Sequence, residues 1–109
     1  MMKLKVNPGV CGLQCILTAE TNDDDEVTIT AETSCQAVKK MIDALEQPIE
    51  AMDVCFCKPG TGPVYEAAVN LLHASCPMLS AVLKCIEAEA GLALTRGVEF
   101  EFDKNQSCG

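Results

Sequence analysis

Eight cysteines lie in 109 residues, at Cys11, Cys15, Cys35, Cys55, Cys57, Cys76, Cys85 and Cys108. Thiols at this density serve disulfide stapling, ligation of a metal or iron–sulfur cluster, or thiol and persulfide redox chemistry. Five of them fall where secondary-structure elements are expected to begin or end. Cys11 sits in the glycine-flanked loop Gly9-Val10-Cys11-Gly12, where backbone amides can approach a sulfur. Cys35 follows Ser34 and Cys76 precedes Pro77, each at an expected helix start. There the positive end of the helix macrodipole favours a thiolate, so both are expected to titrate below a free thiol. Cys55-Phe56-Cys57 is a C-x-C whose sulfurs point to one side if extended, or wrap one ion if looped. Ligands in loops and at helix starts can converge on a point; ligands in mid-helix rarely do. The spacing matches neither a paired C-x-x-C zinc signature nor a ferredoxin run.

The other chemistry-bearing residues have plainer readings. Cys15 and Cys85 fall on apolar faces and read as small core hydrophobes, and Cys108 reads as an exposed tail residue. His73, three residues before Cys76, reads as a surface or capping histidine. Asp23, Asp24, Asp25 and Glu26 lack the glycine and terminal glutamate of a calcium loop and read as a solvated turn. Gly60-Thr61-Gly62 is not followed by Gly-Lys-Ser/Thr, and Pro63 removes an amide donor, so no phosphate cradle is expected.

The elements that must position the thiols follow from periodicity. Residues 3–6 read as a strand ended by Asn7-Pro8-Gly9. Leu13, Cys15, Leu17 and Ala19, then Val27, Ile29 and Ala31, alternate with mostly polar neighbours across an acidic turn, giving an antiparallel hairpin with one apolar face. Pairing Leu17 with Ile29 and Ala19 with Val27 sets Cys15 opposite Ala31 and, at the open end, Cys11 opposite Cys35. Thr33 or Ser34 caps a helix whose face is Val38, Met41, Ile42 and Leu45. Residues 49–56 read as a strand. A second helix is expected over residues 63–74, with Pro63 at its first position. A third runs from Pro77 to Gly91 with Leu79, Val82, Leu83, Ile86 and Ala90 inward. Val98, Phe100 and Phe102 alternate with Glu99 and Glu101 as a final strand. The expected fold class is α+β: a small, mainly antiparallel sheet with three helices packed on one face, as one domain over residues 1–104 with a flexible tail at 105–109.

Composition bounds the surroundings. One domain with half its residues apolar can fold on a hydrophobic core without disulfides. No secretory leader and no apolar run of roughly 18 residues is visible, which points to the cytoplasm and away from membranes. In a reducing compartment a cysteine cluster more often means metal or redox work than structural bridges. A net charge of −8 and an aromatic content of 4% argue against nucleic-acid binding.

Gly9-Val10-Cys11-Gly12, Ser34-Cys35, His73-Ala74-Ser75-Cys76-Pro77 and the stretch from Lys84 through Gly91-Leu92-Ala93-Leu94 resemble a small family of uncharacterised cysteine-rich domains of anaerobic bacteria and archaea. The resemblance spans nearly the whole chain to Phe102. It implies a shared thiol site at Cys11, Cys35 and Cys76, and an anaerobic host, without implying an activity.

Two functions follow. The first is a metal-binding module, a [4Fe–4S] cluster or Zn²⁺ held by Cys11, Cys35, Cys76 and Cys55 or Cys57. The second needs no metal: Cys35 or Cys76 attacks a disulfide or carries a persulfide, and Cys11 resolves it, with a redox partner protein. A non-catalytic interaction subunit is the third reading, and whether the chain is an enzyme stays open. Number discriminates: a metal needs about four convergent thiols, a redox couple two.

Overall fold

The computed structural model describes residues 1–9 and 11–103. Its sheet has three antiparallel strands, β1 (Met2–Val6), β2 (Cys15–Thr21) and β3 (Val27–Thr33), in the order β1-β2-β3. Alternation decides the faces. Val6, Cys15, Leu17, Ala19, Val27 and Ile29 are buried on one side, while Lys3, Lys5, Thr28, Thr30 and Glu32 stay exposed. The helices α1 (Gln36–Ala44), α2 (Ala51–Cys55), α3 (Pro63–Ala67) and α4 (Met78–Glu89) complete an α+β fold. A 3₁₀ turn, Ala68–Asn70, extends α3. The core is a single cluster in which Leu17, Ile29, Met41, Met78, Val82 and Ile86 are wholly or almost wholly buried.

The hairpin is built one pair longer than its apolar pattern suggests. Leu17 pairs with Ala31, Ala19 with Ile29 and Thr21 with Val27. The cause is Asn22, whose Oδ1 accepts from the amides of Asp24 and Glu26 at 2.9 Å each, while its own amide donates to the Glu26 carbonyl at 2.8 Å. This side-chain-stapled loop lets the strands pair right up to it. A shift of two residues keeps every side chain on its expected face. It nevertheless moves the open end: Cys15 lies opposite Thr33, and continuing this register sets Leu13, not Cys11, opposite Cys35.

Three further expectations are corrected. Residues 49–56 are not a strand: Ile49 makes one bridge to Val27, with reciprocal backbone bonds of 2.7 Å, and the chain then enters α2. Ala51 and Val54 are the buried residues there, a spacing of three that suits a helix. The helix expected over 63–74 is a single α turn followed by the 3₁₀ turn, and Leu72 is exposed rather than inward. Residues 98–102 form no strand in this chain.

The two caps that matter for the thiols are clear. Cys35 itself, rather than Thr33 or Ser34, is the N-cap of α1. Its amide donates to the Thr33 hydroxyl at 3.1 Å, and its carbonyl accepts from Lys39. α4 ends at Gly91, φ +75°, with Leu92 N–H bonded to the Glu87 carbonyl and Gly91 N–H to that of Ala88. That is a Schellman termination, which needs the left-handed residue that glycine supplies.

Candidate functional site

The described thiols gather as two pairs, each made by a different part of the fold. The first joins Cys15 to Cys35. Cys15 is the first residue of β2 and is 1% exposed. Cys35 lies two residues beyond Thr33, the cross-strand partner of Cys15, and is therefore its diagonal neighbour. Diagonal side chains across a strand pair start about 7–8 Å apart at the backbone, with the Cβ atoms somewhat nearer. The nearness is felt electrostatically: burial first, and the Cys35 thiolate second, push the Cys15 thiol above its ordinary value. Cys35 is half-buried, and its sulfur makes no capping bond, so it sits unused at the positive end of α1. One thiol is thus buried in the core, while its neighbour is only partly buried at the start of the helix.

The second pair is Cys55 and Cys57. Cys55 ends α2, beside α4. Burial, then Glu87 of α4, then Cys57 push its thiol up to about 11. Cys57 is half-buried and donates from Sγ to the Asp53 carbonyl at 2.8 Å. Its sulfur packs against Gly62, where a Cβ would stand 2.6 Å from it and where φ is +94°. Both sulfurs of this pair are committed to local structure. Nearby, an open groove of about 540 Å³ is bordered by Glu26, Glu46, Glu50, Asp53 and Glu66, carboxylates that disfavour an anionic ligand.

The other thiols stand apart from these pairs. Cys11 is exposed beside the Gly9–Gly12 turn, in which Gly12 N–H reaches the Gly9 carbonyl at 3.0 Å. Cys76 is half-buried one residue before the N-cap of α4, its amide bonded to the His73 carbonyl at 3.1 Å, and His73 is exposed. Cys85 is buried in mid-helix, as its apolar neighbours imply, and burial pushes it up to about 11 with Glu89 adding to the effect. Cys108 lies outside the described residues.

Among the described residues no three Cys, His, Asp or Glu side chains come together closely enough to hold one metal ion. The five expected ligands Cys11, Cys35, Cys55, Cys57 and Cys76 all lie in turns or at or near helix ends. The residue that sequence reasoning set aside is Cys15. Its signal was present: it is the first residue of the hairpin's apolar face, at the end where the chain opens towards Cys35.

A small α+β domain with two thiol pairs on a three-stranded sheet is the class of protein that this fold and site define. The chain belongs to the family of unknown function DUF6951, whose model matches residues 2–102. No curated protein and no solved structure matches it. No helix among the described residues is long and apolar enough to cross a membrane.

Proposed function

We propose that the protein is a dithiol redox protein in which Cys35 is the attacking thiol and Cys15 resolves. One observation carries this reading: a partly buried thiol at a helix N-cap lies beside a buried thiol from an adjacent strand. The Cys35 thiolate attacks one sulfur of a substrate disulfide. A mixed disulfide forms, and the substrate's other sulfur leaves as a thiolate. Cys15 then gives up its proton, attacks Cys35 Sγ and displaces the remaining substrate sulfur, also as a thiolate. The two protein thiols are oxidised to one disulfide, and the substrate disulfide is reduced by two electrons. A relaxed bridge needs Cα atoms about 4.4–6.8 Å apart, shorter than a typical diagonal spacing. Closing it therefore draws the first turn of α1 towards β2.

The competing proposal is the [4Fe–4S] or Zn²⁺ centre on Cys11, Cys35, Cys76 and Cys55 or Cys57. Its supporting observation is that these thiols all lie on turns or at helix ends and that none of them is fully buried. Metal binding would have to assemble them, as it does where metal and folding are coupled. The test is one preparation made without oxygen or chelator. Two-electron oxidation of metal-free protein by a small disulfide, lost in Cys35→Ser, is the result the dithiol reading predicts. Stoichiometric iron with acid-labile sulfide, or tightly held zinc that blocks this oxidation, would replace it with the metal centre.

A further inference from the structure

The two outer edges of the sheet are treated differently. On β3, the backbone of Val27 exchanges two hydrogen bonds with Ile49. Two residues on, Gln47 imitates a strand with its side chain: Oε1 accepts from Ile29 N–H at 2.7 Å, and Nε2 donates to the Ile29 carbonyl at 3.0 Å. This edge is closed over half its length. The same bonds fix the backbone alternation across the sheet. Val27 and Ile29 face away from β2, so the paired registers turn Met2, Leu4 and Val6 towards β2 and leave the amides and carbonyls of Lys3 and Lys5 facing outward. Among the described residues no strand pairs with the outer edge of β1.

The chain also carries an unused strand. Residues 98–102, Val-Glu-Phe-Glu-Phe, have strict strand alternation but no strand of their own. Val98, Phe100 and Phe102 are 54, 88 and 95% exposed, so among the described residues the two phenylalanines of this arm are left almost uncovered. An apolar alternating segment left in water is a segment awaiting a sheet edge.

We propose that residues 98–102 of one copy add as a fourth strand to the β1 edge of a second copy, forming an arm-exchanged dimer. Three features match. Among the described residues the outward backbone groups of Lys3 and Lys5 have no strand partner, and the arm can supply one. On the solvent face, Lys3 and Lys5 meet Glu99 and Glu101, with the same two-residue spacing on both strands, so the charges align in either strand direction. On the other face, Val98, Phe100 and Phe102 extend the apolar row of Met2 and Leu4, both only partly buried now. A twofold axis makes the two arm–edge contacts equivalent and closes the assembly. Four phenylalanines at roughly 150–250 Å² each, with the surface that they cover, bring the buried total to on the order of 1,500 Å². That is the size of a specific interface.

The experiment is sedimentation equilibrium on the full chain and on two folded charge-reversed variants, with folding checked by circular dichroism. Wild type is expected to be a dimer. Lys3→Glu with Lys5→Glu, and separately Glu99→Lys with Glu101→Lys, should each weaken it by about tenfold to a thousandfold, because like charges then oppose across both arms. Mixing the two variants should restore dimers, since each arm then meets an edge of opposite charge. Phe100→Ser with Phe102→Ser, at residues outside the core, should give a folded monomer. A wild-type monomer at high concentration, a dimer indifferent to these changes, or variants that do not rescue each other would overturn the proposal.

Discussion

The two thiol pairs contain the same atoms and are built in opposite ways. Cys55 and Cys57 are neighbours in sequence, joined by one residue at the end of a five-residue helix. Each sulfur is tied down, Cys57 by the Asp53 carbonyl and the Gly62 backbone, Cys55 by burial beside Glu87. Cys15 and Cys35 are twenty residues apart and meet only because the hairpin pairs in one particular register. Here one sulfur is buried and the other is left free at a helix cap. Nearness along the chain made a structural pair. Nearness created by the fold made the pair to which we assign the proposed exchange.

The sharpest way to break this contrast is one substitution made in both pairs. Cys15→Ser puts a hydroxyl in an apolar site and should cost about 2 kcal/mol of unfolding free energy, the range for a buried unsatisfied group. Cys57→Ser keeps a donor for the Asp53 carbonyl and should cost less than about 0.5 kcal/mol. Urea unfolding reads both, and equal costs would erase the distinction.

Gly62→Ala comes next in size. A Cβ at positive φ against the Cys57 sulfur should destabilise by about 1–2 kcal/mol. It should also free Cys57, seen as faster maleimide labelling at that site and unchanged labelling at Cys35.

Alkaline pH sharpens the comparison without mutation. Cys55 and Cys85 have folded values of about 11, above the unfolded thiol near 8.5. The unfolded chain therefore releases these protons first. Their contribution to stability is complete below about pH 8.5 and falls as pH rises towards about 11. Thermal melts from pH 8 to 11 should show a progressive decline, with Cys55 labelling last among the partly buried thiols.

The smallest effect lies at the far end of α4. Thr21 Oγ1 donates to Glu89 at 2.6 Å, and this bond, helped by the terminal ammonium of Met1 at 3.3 Å, holds the carboxyl below the usual carboxylate range. A lowered folded value gives stability that is present above the unfolded value and lost as pH falls through the folded one. Glu89→Gln should flatten the stability profile below about pH 4 by a few tenths of a kcal/mol, with both thiol pairs unaffected.

The α+β class and the one-sided sheet were legible because the strands alternate cleanly and the residues Val38, Met41 and Ile42, and Val82 and Ile86, recur at helical spacing. Residues 49–56 were misread because Ile49 does touch the sheet, and a short apolar run cannot separate one bridge plus a helical turn from a strand. The thiol site was half legible. Cys35 stood out at a helix start, but its neighbour depended on the register, and the register depended on Asn22 gathering its loop with one side chain. Hydrophobic alternation is blind to a two-residue shift, which keeps each face and changes each partner. Residues 98–102 carry a strand pattern that no strand among the described residues realises.

The most direct measurement is disulfide mapping by mass spectrometry after mild, stoichiometric oxidation of the reduced, folded, metal-free protein. The first bridge is expected between Cys15 and Cys35, with Cys55 and Cys57 still reduced. A first bridge that joins Cys35 to Cys11 or Cys76, or that closes Cys55 to Cys57 while Cys15 stays free, would contradict it.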